Sequence, residues 1–279
     1  MTLVTEDMSP STDALTARFA VAREIAEEAG SLALDYFRRR KDLTIEIKGG
    51  LQDVVSIADK NVETLIRDRL HTSFPEDGIL GEEHGVEQGS SGFTWVVDPI
   101  DGPPAFVHGL PSWCVSIALL NDTDLVMGVI RVPCDDESFA AVKGGGATLN
   151  GEPLRLDSSR TLQNSLTGIG ANHAVPAEMI GALIAGLMAR GGNYIRTGSG
   201  AQMLASVAAG RLAGFYEPSM HAWDCLAGYC LVAEAGGSYR PFPVAGDAIP
   251  DGGPVLAAGP GTFEDLSALA TECERFLKS

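Results

Sequence analysis

The sequence predicts an α/β layered sandwich, and the order of its segments supports this fold class. Two long segments with helical spacing of apolar residues come first, short apolar runs separated by turn signals follow, and alternating helical and apolar segments complete the chain. The 279 residues, 45% hydrophobic and 20% charged, have the composition of an ordinary globular protein. One large domain or two closely joined domains are therefore expected.

The first two predicted elements are long amphipathic helices. A capping cluster, Ser11, Thr12 and Asp13, precedes apolar residues at helical spacing over residues 15–37, and the basic run RRRK suits the helix end. A second periodic segment over residues 62–70 leads to the turn sequence PEDG. Both segments predict helices that bury one face.

The pattern then changes to that of a mostly antiparallel sheet. Between residues 95 and 142 the runs TWVVD, VSIALL, LVMGVIRV and FAAV are separated by Asn-Asp, Pro and Gly signals, and GGGATLNG continues the sheet. Ala-rich helical segments follow over residues 179–189 and 201–209. A third helical segment, WDCLAGYCLVAEAGG, ends in a glycine pair suited to a C-cap.

The charge of the chain excludes several function classes. Lys and Arg number 20 against 37 Asp and Glu, a formal net charge of −17, so we expect neither nucleic-acid nor membrane partners. An anionic small substrate would be attracted by a bound cation. The five cysteines form no CxxC pair, no apolar run is long enough to span a bilayer, and no signal pattern begins the chain, so a cytoplasmic location is expected.

Four carboxylates are expected at the ends of elements. Glu82 follows the apolar ILG, Asp98 closes the strand TWVV, Asp101 follows three residues later, and Asp224 begins the third late helix. Mg²⁺ prefers several hard oxygens in octahedral array and accepts main-chain carbonyls such as that of Ile100. Any one of these residues alone would be read as a helix N-cap or a turn residue. Their occurrence among apolar neighbours favours a metal site, because isolated charges there would be poorly solvated.

The sequence also resembles a known family. GEE at 81–83, WVVDPIDG at 95–102 and WDCLAGYCLVAEAGG at 223–237 are similar to motifs of the inositol monophosphatase family of Mg²⁺-dependent, lithium-sensitive phosphomonoesterases. DVVSIAD, GATLNGEPLR and RTGSGA extend the resemblance over nearly the whole chain. It implies a five-layered α/β/α/β/α sandwich of the inositol monophosphatase and fructose-1,6-bisphosphatase type. It also implies a homodimer and hydrolysis of inositol monophosphate or a similar polyol or sugar phosphate.

The resemblance further implies one unit over residues 1–279, with a metal-binding half over about 12–150 and a C-terminal α/β half over about 151–279. It implies two or three Mg²⁺ ions. The residues it assigns are Glu82, Asp98 and the Ile100 carbonyl for the first ion, Asp98, Asp101 and Asp224 for the second, Glu82 for a third, Asp53 and Glu82 for catalysis, and Gly102, Pro103, Gly198, Ser199 and Glu217 for substrate. Glu217 is equally well read as a solvated loop residue.

The chain departs from the family pattern directly after the second aspartate. DGPPAF stands where the family has DGTxNF, so Pro103 replaces a threonine that helps position the attacking water in relatives. Proline lacks both the hydroxyl and the N–H group, although it fits the first helical position. Alternatives are a histidinol-phosphate or nucleotide 3′-phosphate phosphatase, or an impaired phosphate- and metal-binding relative. With no Cys or His at ligand spacing, His108 and His221 are expected at a pocket edge or in the core rather than on zinc.

Overall fold

The protein is described by a computed structural model that covers residues 12–42, 45–47, 54–172, 174–244 and 252–277. The helices in these residues are Thr12–Arg38 (α1), Ile57–Ser73 (α2), Pro103–His108 (α3), Ala177–Ala189 (α4), Gly200–Ala208 (α5), Ala222–Glu234 (α6) and Phe263–Cys273 (α7), with 3₁₀ segments at Arg40–Asp42 and Glu274–Leu277. The strands are Ile45–Ile47 (β1), Val54–Ser56 (β2), Gly78–Gly81 (β3), Gly85–Glu87 (β4), Phe93–Asp101 (β5), Cys114–Asn121 (β6), Asp124–Val132 (β7), Glu137–Val142 (β8), Gly146–Leu149 (β9), Glu152–Pro153 (β10), Leu166–Ile169 (β11), Asn193–Ile195 (β12), Gly214–Met220 (β13), Ser238–Tyr239 (β14) and Gly253–Ala258 (β15).

The strands form two large sheets and one small ribbon. The first sheet has eight strands in the order β10-β9-β8-β7-β6-β5-β3-β4 and is antiparallel except between β3 and β5. The second has five strands in the order β12-β11-β13-β15-β14, with β12, β11 and β13 parallel. The mostly antiparallel sheet predicted for residues 95–142 is confirmed. β1 and β2 pair with each other as an antiparallel ribbon.

The packing of these sheets produces five layers. Residues of α1 and α2 pack on one face of the eight-stranded sheet, and α5 and α6 lie between its other face and the five-stranded sheet. The far face of the five-stranded sheet packs against α4 and α7. The order is therefore α1/α2, first sheet, α5/α6, second sheet, α4/α7, which confirms the predicted α/β/α/β/α sandwich.

Alternation along single strands explains why their sequences are nearly all apolar. In β6, Val115 and Ile117 pack toward α1 and α2, whereas Cys114 and Ala118 pack toward α5 and α6. Because successive side chains of a strand point to opposite faces, a strand buried on both faces needs apolar residues at every position. The polar exceptions Asp98 and Asp101 lie in the last part of β5, where the register with β6 shifts.

Several local predictions were incomplete. The strand that contains TWVV was predicted to end at Asp98. In the structure β5 continues to Asp101, and its register with β6 shifts between the two aspartates. The short strand β12 was not predicted, because all three of its side chains are exposed and show no buried pattern. Among the residues described, no helix combines the length and apolarity needed to span a membrane.

Candidate active site

The register break in β5 brings two carboxylates to one place. Asp98 and Asp101 are 1% and 7% exposed, and the pairing of β5 with β6 shifts between them. The backbone N–H of Ile100 donates to Oδ1 of Asp98 over 2.9 Å. Because a bulged segment loses the regular alternation of side chains, both aspartates can approach the same cavity from the end of one strand.

The carboxylate of Asp101 is fixed by the start of α5. The hydroxyl of Ser199 and the backbone N–H of Ala201 both donate to its Oδ2, the latter over 2.7 Å, and the thiol of Cys114 lies 3.8 Å from the same oxygen. The N-terminus of a helix favours negative charge because its first N–H groups lack partners within the helix. Groups at the start of α5 therefore hold a carboxylate that comes from β5 of the first sheet.

The third carboxylate comes from the first turn of α6. The backbone N–H of His221 donates to Oδ2 of Asp224 over 2.9 Å. The hydroxyl of Ser116 donates to the carbonyl of Trp223 over 3.0 Å, and Ser116 pairs with Asp98 in the register of β5 and β6. These contacts hold Asp224 opposite Asp98.

Asp98, Asp101 and Asp224 form an acidic cluster whose ligand atoms all lie within 4.8 Å of one another. Burial raises the pKa of all three carboxyls, most strongly for Asp98 and Asp224. The charge of Glu82 adds to the rise for Asp98 and Asp224. Hard oxygens gathered this closely fit a divalent cation such as Mg²⁺.

The acidic cluster lines a cavity of about 790 Å³. Its wall combines five carboxylates, one arginine and two histidines with uncharged polar, glycine, proline and apolar residues. The lining residues are Glu82, Asp98, Asp101, Gly102, Pro103, Pro104, Ala105, His108, Leu110, Ala171, Asn172, Ala174, Arg196, Thr197, Gly198, Gly200, Glu217, Ser219, Met220, His221, Trp223 and Asp224. A cavity of this size suits a small molecule with a polar end.

Four of the five predicted substrate residues line this cavity, namely Gly102, Pro103, Gly198 and Glu217. Ser199 does not line it. Its side chain is 1% exposed, caps α5 by accepting from the N–H of Gln202, and donates to Asp101. A role for Ser199 in substrate binding therefore stays a prediction, and its observed hydrogen bonds support the carboxylate instead.

The turn from β5 into α3 carries the departure from the family pattern. Gly102 has φ 96°, and a Cβ there would lie 2.9 Å from the carbonyl oxygen of Ser112, so glycine suits the position on both grounds. Pro103 and Pro104 open α3 and remove two of its free N–H groups. The part of the wall where a phosphate would meet helix N–H groups is thus partly apolar.

Glu217 faces the acidic cluster from the second sheet. Burial, with the charge of Asp101, raises the pKa of Glu217 to about 7, whereas the nearby charge of Arg196 and a hydrogen bond from Asn172 oppose the rise. Arg196 donates to the carbonyl of Ala171 over 2.8 Å at the rim of the same cavity. This wall offers an acceptor and a cation to the part of a ligand that lies away from the carboxylates.

The raised pKa of Glu217 predicts a pH dependence of stability. Its stabilising contribution is complete below the ordinary value of about 4.5 and is lost as the pH rises through about 7, because the folded state then holds a buried charge. Metal-free protein is expected to lose about 1.4 kcal/mol per pH unit from this group between those values. The free energy of unfolding, measured with urea in the presence of EDTA, should fall less steeply with pH in Glu217→Gln than in the unsubstituted protein. An equal pH dependence in the two proteins would contradict the assignment.

One further carboxylate of this region was not predicted from the sequence. The predicted catalytic residue Asp53 lies outside the described residues, but Asp59 of the same DVVSIAD stretch lies in the first turn of α2 and is 4% exposed. Its charge contributes to the raised pKa of Asp98, so it approaches the acidic cluster. The available signal was an aspartate at the start of an amphipathic helix, which a solvated helix cap produces equally well.

Comparison with known proteins agrees with this geometry. The chain matches the inositol monophosphatase family over residues 15–275. It is 36% identical over 258 residues to an inositol monophosphatase of Dictyostelium discoideum, covering 90% of this chain and 94% of that protein, and 36% identical over 235 residues to a histidinol-phosphatase of Chlorobaculum parvum, covering 80% and 85%. The crystal structure of the extragenic suppressor protein suhB from Bartonella henselae superposes with a TM-score of 0.84 at 32% identity, covering 93% of this chain and 99% of that one.

The layered fold and the acidic cavity define a phosphoric monoester hydrolase. The family match extends over residues 15–275, which is almost the whole chain. The protein belongs to the inositol monophosphatase family.

Proposed function

We propose that the protein hydrolyses a small phosphate monoester of a polyol or sugar, with inositol monophosphate as the first candidate. The observation that supports this substrate class is the division of the cavity: the acidic cluster forms one wall, and Glu217 with Arg196 forms another. A phosphate held through cations at the acidic cluster leaves the hydroxyl-bearing part of the substrate toward Glu217. The name of the Dictyostelium discoideum relative supports the same choice.

We infer that two or three Mg²⁺ ions bind at the acidic cluster. Glu82, Asp98 and the Ile100 carbonyl would hold the first, and Asp98, Asp101 and Asp224 the second, with Glu82 contributing to a third. When bound, such ions neutralise phosphoryl oxygens and lower the pKa of a coordinated water. The hard-oxygen chemistry and mutual proximity of these side chains support the inference.

The protein's own groups would orient the reacting water. Asp59 and Glu82 approach Asp98 from two different elements, and either carboxylate could accept a proton as the water oxygen attacks phosphorus. The ester P–O bond breaks in the same displacement, and the leaving alcohol oxygen takes a proton, which gives the alcohol and inorganic phosphate. Asp53 remains a further predicted member of this group. Pro103 contributes neither a hydroxyl nor an N–H to the step.

Two alternatives have specific support. The Chlorobaculum parvum relative is named a histidinol-phosphatase, so histidinol phosphate belongs in the substrate panel beside a nucleotide 3′-phosphate. The apolar wall formed by Pro103, Pro104 and Ala105 favours instead a relative with weakened turnover that binds metal and phosphate esters. Repeated release of phosphate by each protein molecule would distinguish an enzyme from this binding protein.

The proposed function is tested by phosphate release from inositol 1-phosphate, a sugar phosphate, histidinol phosphate and a nucleotide 3′-phosphate, each with Mg²⁺ and with EDTA. We expect Mg²⁺-dependent release with a preference for the polyol or sugar ester, and inhibition by Li⁺ as the family resemblance implies. Metal-dependent binding without release of phosphate would favour the binding protein. Equal release with EDTA would contradict the proposed metal chemistry.

We also propose a homodimer in a reducing, cytoplasmic setting. The edge strand β12 and its neighbour β11 expose Leu166, Tyr194 and Ile195, three large apolar side chains at one edge of the second sheet. Exposed apolar groups on an unpaired edge favour association with another chain. All five cysteines are free, which suits a reducing compartment. Sedimentation equilibrium tests the dimer.

A further inference from the structure

One face of α2 carries three buried charged residues four positions apart. Asp59, Glu63 and Arg67 are 4%, 0% and 8% exposed, and this spacing places them one above another along the helix. Asp59 approaches the acidic cluster, as described above. Charged residues are rarely so buried without dedicated partners. The hydrogen-bond partners of Glu63 and Arg67 therefore show which segment of the chain this face of α2 binds.

Glu63 accepts hydrogen bonds from the turn that joins β3 to β4. The backbone N–H of Glu83 donates to Oε2 of Glu63 over 2.7 Å, and that of His84 donates to Oε1 over 3.2 Å. The ring Nδ1 of His84 also lies 3.2 Å from Oε1. Glu82, which lines the cavity, is the residue immediately before these two donors.

Arg67 completes the attachment from the other side of the turn. Its Nε donates to Oε1 of Glu63 over 2.8 Å, and a terminal N–H donates to the carbonyl of Gly85 over 2.5 Å. Its other terminal nitrogen lies 3.5 Å from the half-exposed carboxylate of Glu87. The ion pair thus binds backbone donors after Glu82 and a backbone acceptor at the start of β4.

The fit of the turn over this ion pair requires glycine at position 81. A Cβ on Gly81 would lie 2.0 Å from Oε1 of Glu63 and 2.9 Å from a terminal nitrogen of Arg67. The backbone that leads into Glu82 therefore rests directly on the two side chains. This contact is separate from the hydrogen bonds, and it also indicates that Glu63 and Arg67 support the backbone next to Glu82.

We propose that Glu63 and Arg67 are positioning residues that fix the carboxylate of Glu82 at the acidic cluster, so that a single face of α2 places both Asp59 and Glu82. The inference rests on the proposed function, since the purpose of the placement is cation binding and water orientation. A carboxylate on an unanchored turn would sample many positions. Groups that orient metal ligands commonly change metal affinity or activity by about 10–100-fold when they are replaced.

The test compares Glu63→Gln with the unsubstituted protein and with Asp77→Asn as a matched control. Asp77 is also a buried carboxylate paired with an arginine, Arg18, but it immediately precedes the start of β3, whereas Glu82 follows the end of that strand. Calorimetry measures the Mg²⁺ dissociation constant, and hydrogen exchange measures protection of the Glu83 and His84 amides. Thermal unfolding reports stability in each case.

We expect Glu63→Gln to weaken Mg²⁺ binding by about 10-fold or more and to speed exchange at the two amides. Asp77→Asn should lower the melting temperature but leave Mg²⁺ affinity within about twofold. If Glu63→Gln keeps both the Mg²⁺ affinity and the amide protection of the unsubstituted protein, the inference is overturned while the proposed function stands. An unsubstituted protein that binds no Mg²⁺ would overturn the proposed function and the inference with it.

A second variant covers the case in which Glu63→Gln does not fold. Glu63→Met with Arg67→Met removes both buried charges together, so that neither is left in the interior without its partner. The turn then loses its acceptor and donor while the core stays filled. Weakened Mg²⁺ binding in this folded variant would support the proposal, and unsubstituted affinity would refute it.

Discussion

Replacing Asp98 by asparagine is expected to lower phosphate release by at least about 10³-fold, which corresponds to about 4 kcal/mol in the barrier. In the proposed metal site Asp98 contributes to both principal cations, and its ligand atom lies within 4.8 Å of those of Asp101 and Asp224. Asparagine retains an oxygen that can accept the N–H of Ile100, so the backbone of β5 keeps its local hydrogen bond. The loss should therefore come from cation binding rather than from unfolding.

A stability measurement separates this explanation from damage to the fold. Burial and the surrounding charges of Glu82, Asp101 and Asp224 all raise the pKa of Asp98, so its ionised form destabilises the metal-free protein. Asp98→Asn is expected to raise the melting temperature in EDTA and to abolish stabilisation by Mg²⁺. A variant that is less stable in EDTA, or that keeps its Mg²⁺ response, would show that Asp98 is not a principal ligand.

Asp77→Asn provides the opposite case. The carboxylate of Asp77 is also buried, but it accepts two hydrogen bonds from Arg18 and one from the indole N–H of Trp95. Removing its charge leaves the largely buried guanidinium of Arg18, which is 12% exposed, without its carboxylate, and such a loss costs several kcal/mol in typical cases. Comparable burial thus leads to opposite effects on stability, because Asp77 is paired with Arg18, whereas the charges that act most strongly on Asp98 are those of other carboxylates.

The sequence was most informative where burial is extensive. Both faces of β6 are covered, so its apolar run could be recognised directly, and the helical spacing over residues 15–37 correctly predicted α1. Glu82, Asp98, Asp101 and Asp224 were found because they interrupt or follow such runs, whereas Glu217 was named only from the family resemblance. Five layers, in contrast, were expected only from the family resemblance, since apolar periodicity does not specify which faces meet.

Positions set by tertiary contacts could not be predicted in the same way. Glu63 and Arg67 are four residues apart in a helix, a spacing that normally indicates a solvated surface pair. Only the turn between β3 and β4, which covers them, shows that both are buried. Asp59 was missed for a related reason: its approach to Asp98 depends on how α2 packs against β5, which no local pattern in DVVSIAD encodes.

Replacing Pro103 by threonine is expected to raise turnover by about 10²-fold. Removal of one preorganised donor from an enzyme typically lowers the rate by 10²–10³-fold, and Pro103→Thr restores an N–H at the helix start together with a hydroxyl. Pro103 lines the cavity beside Gly102, so both groups would be introduced at the acidic cluster. The measurement is kcat for inositol 1-phosphate at saturating Mg²⁺.

Pro103→Ala is the matched control, because it restores the N–H without the hydroxyl. If the N–H mainly holds the phosphate, alanine should lower KM, whereas the further gain in kcat with threonine reports water orientation. Either change should cost at most about 1 kcal/mol of stability through the greater freedom of the unfolded chain. If neither variant exceeds the unsubstituted protein, Asp59 and Glu82 suffice to orient the water, and the apolar start of α3 is compatible with full catalysis. A large gain with threonine alone would instead identify Pro103 as the feature that limits turnover on an otherwise complete site.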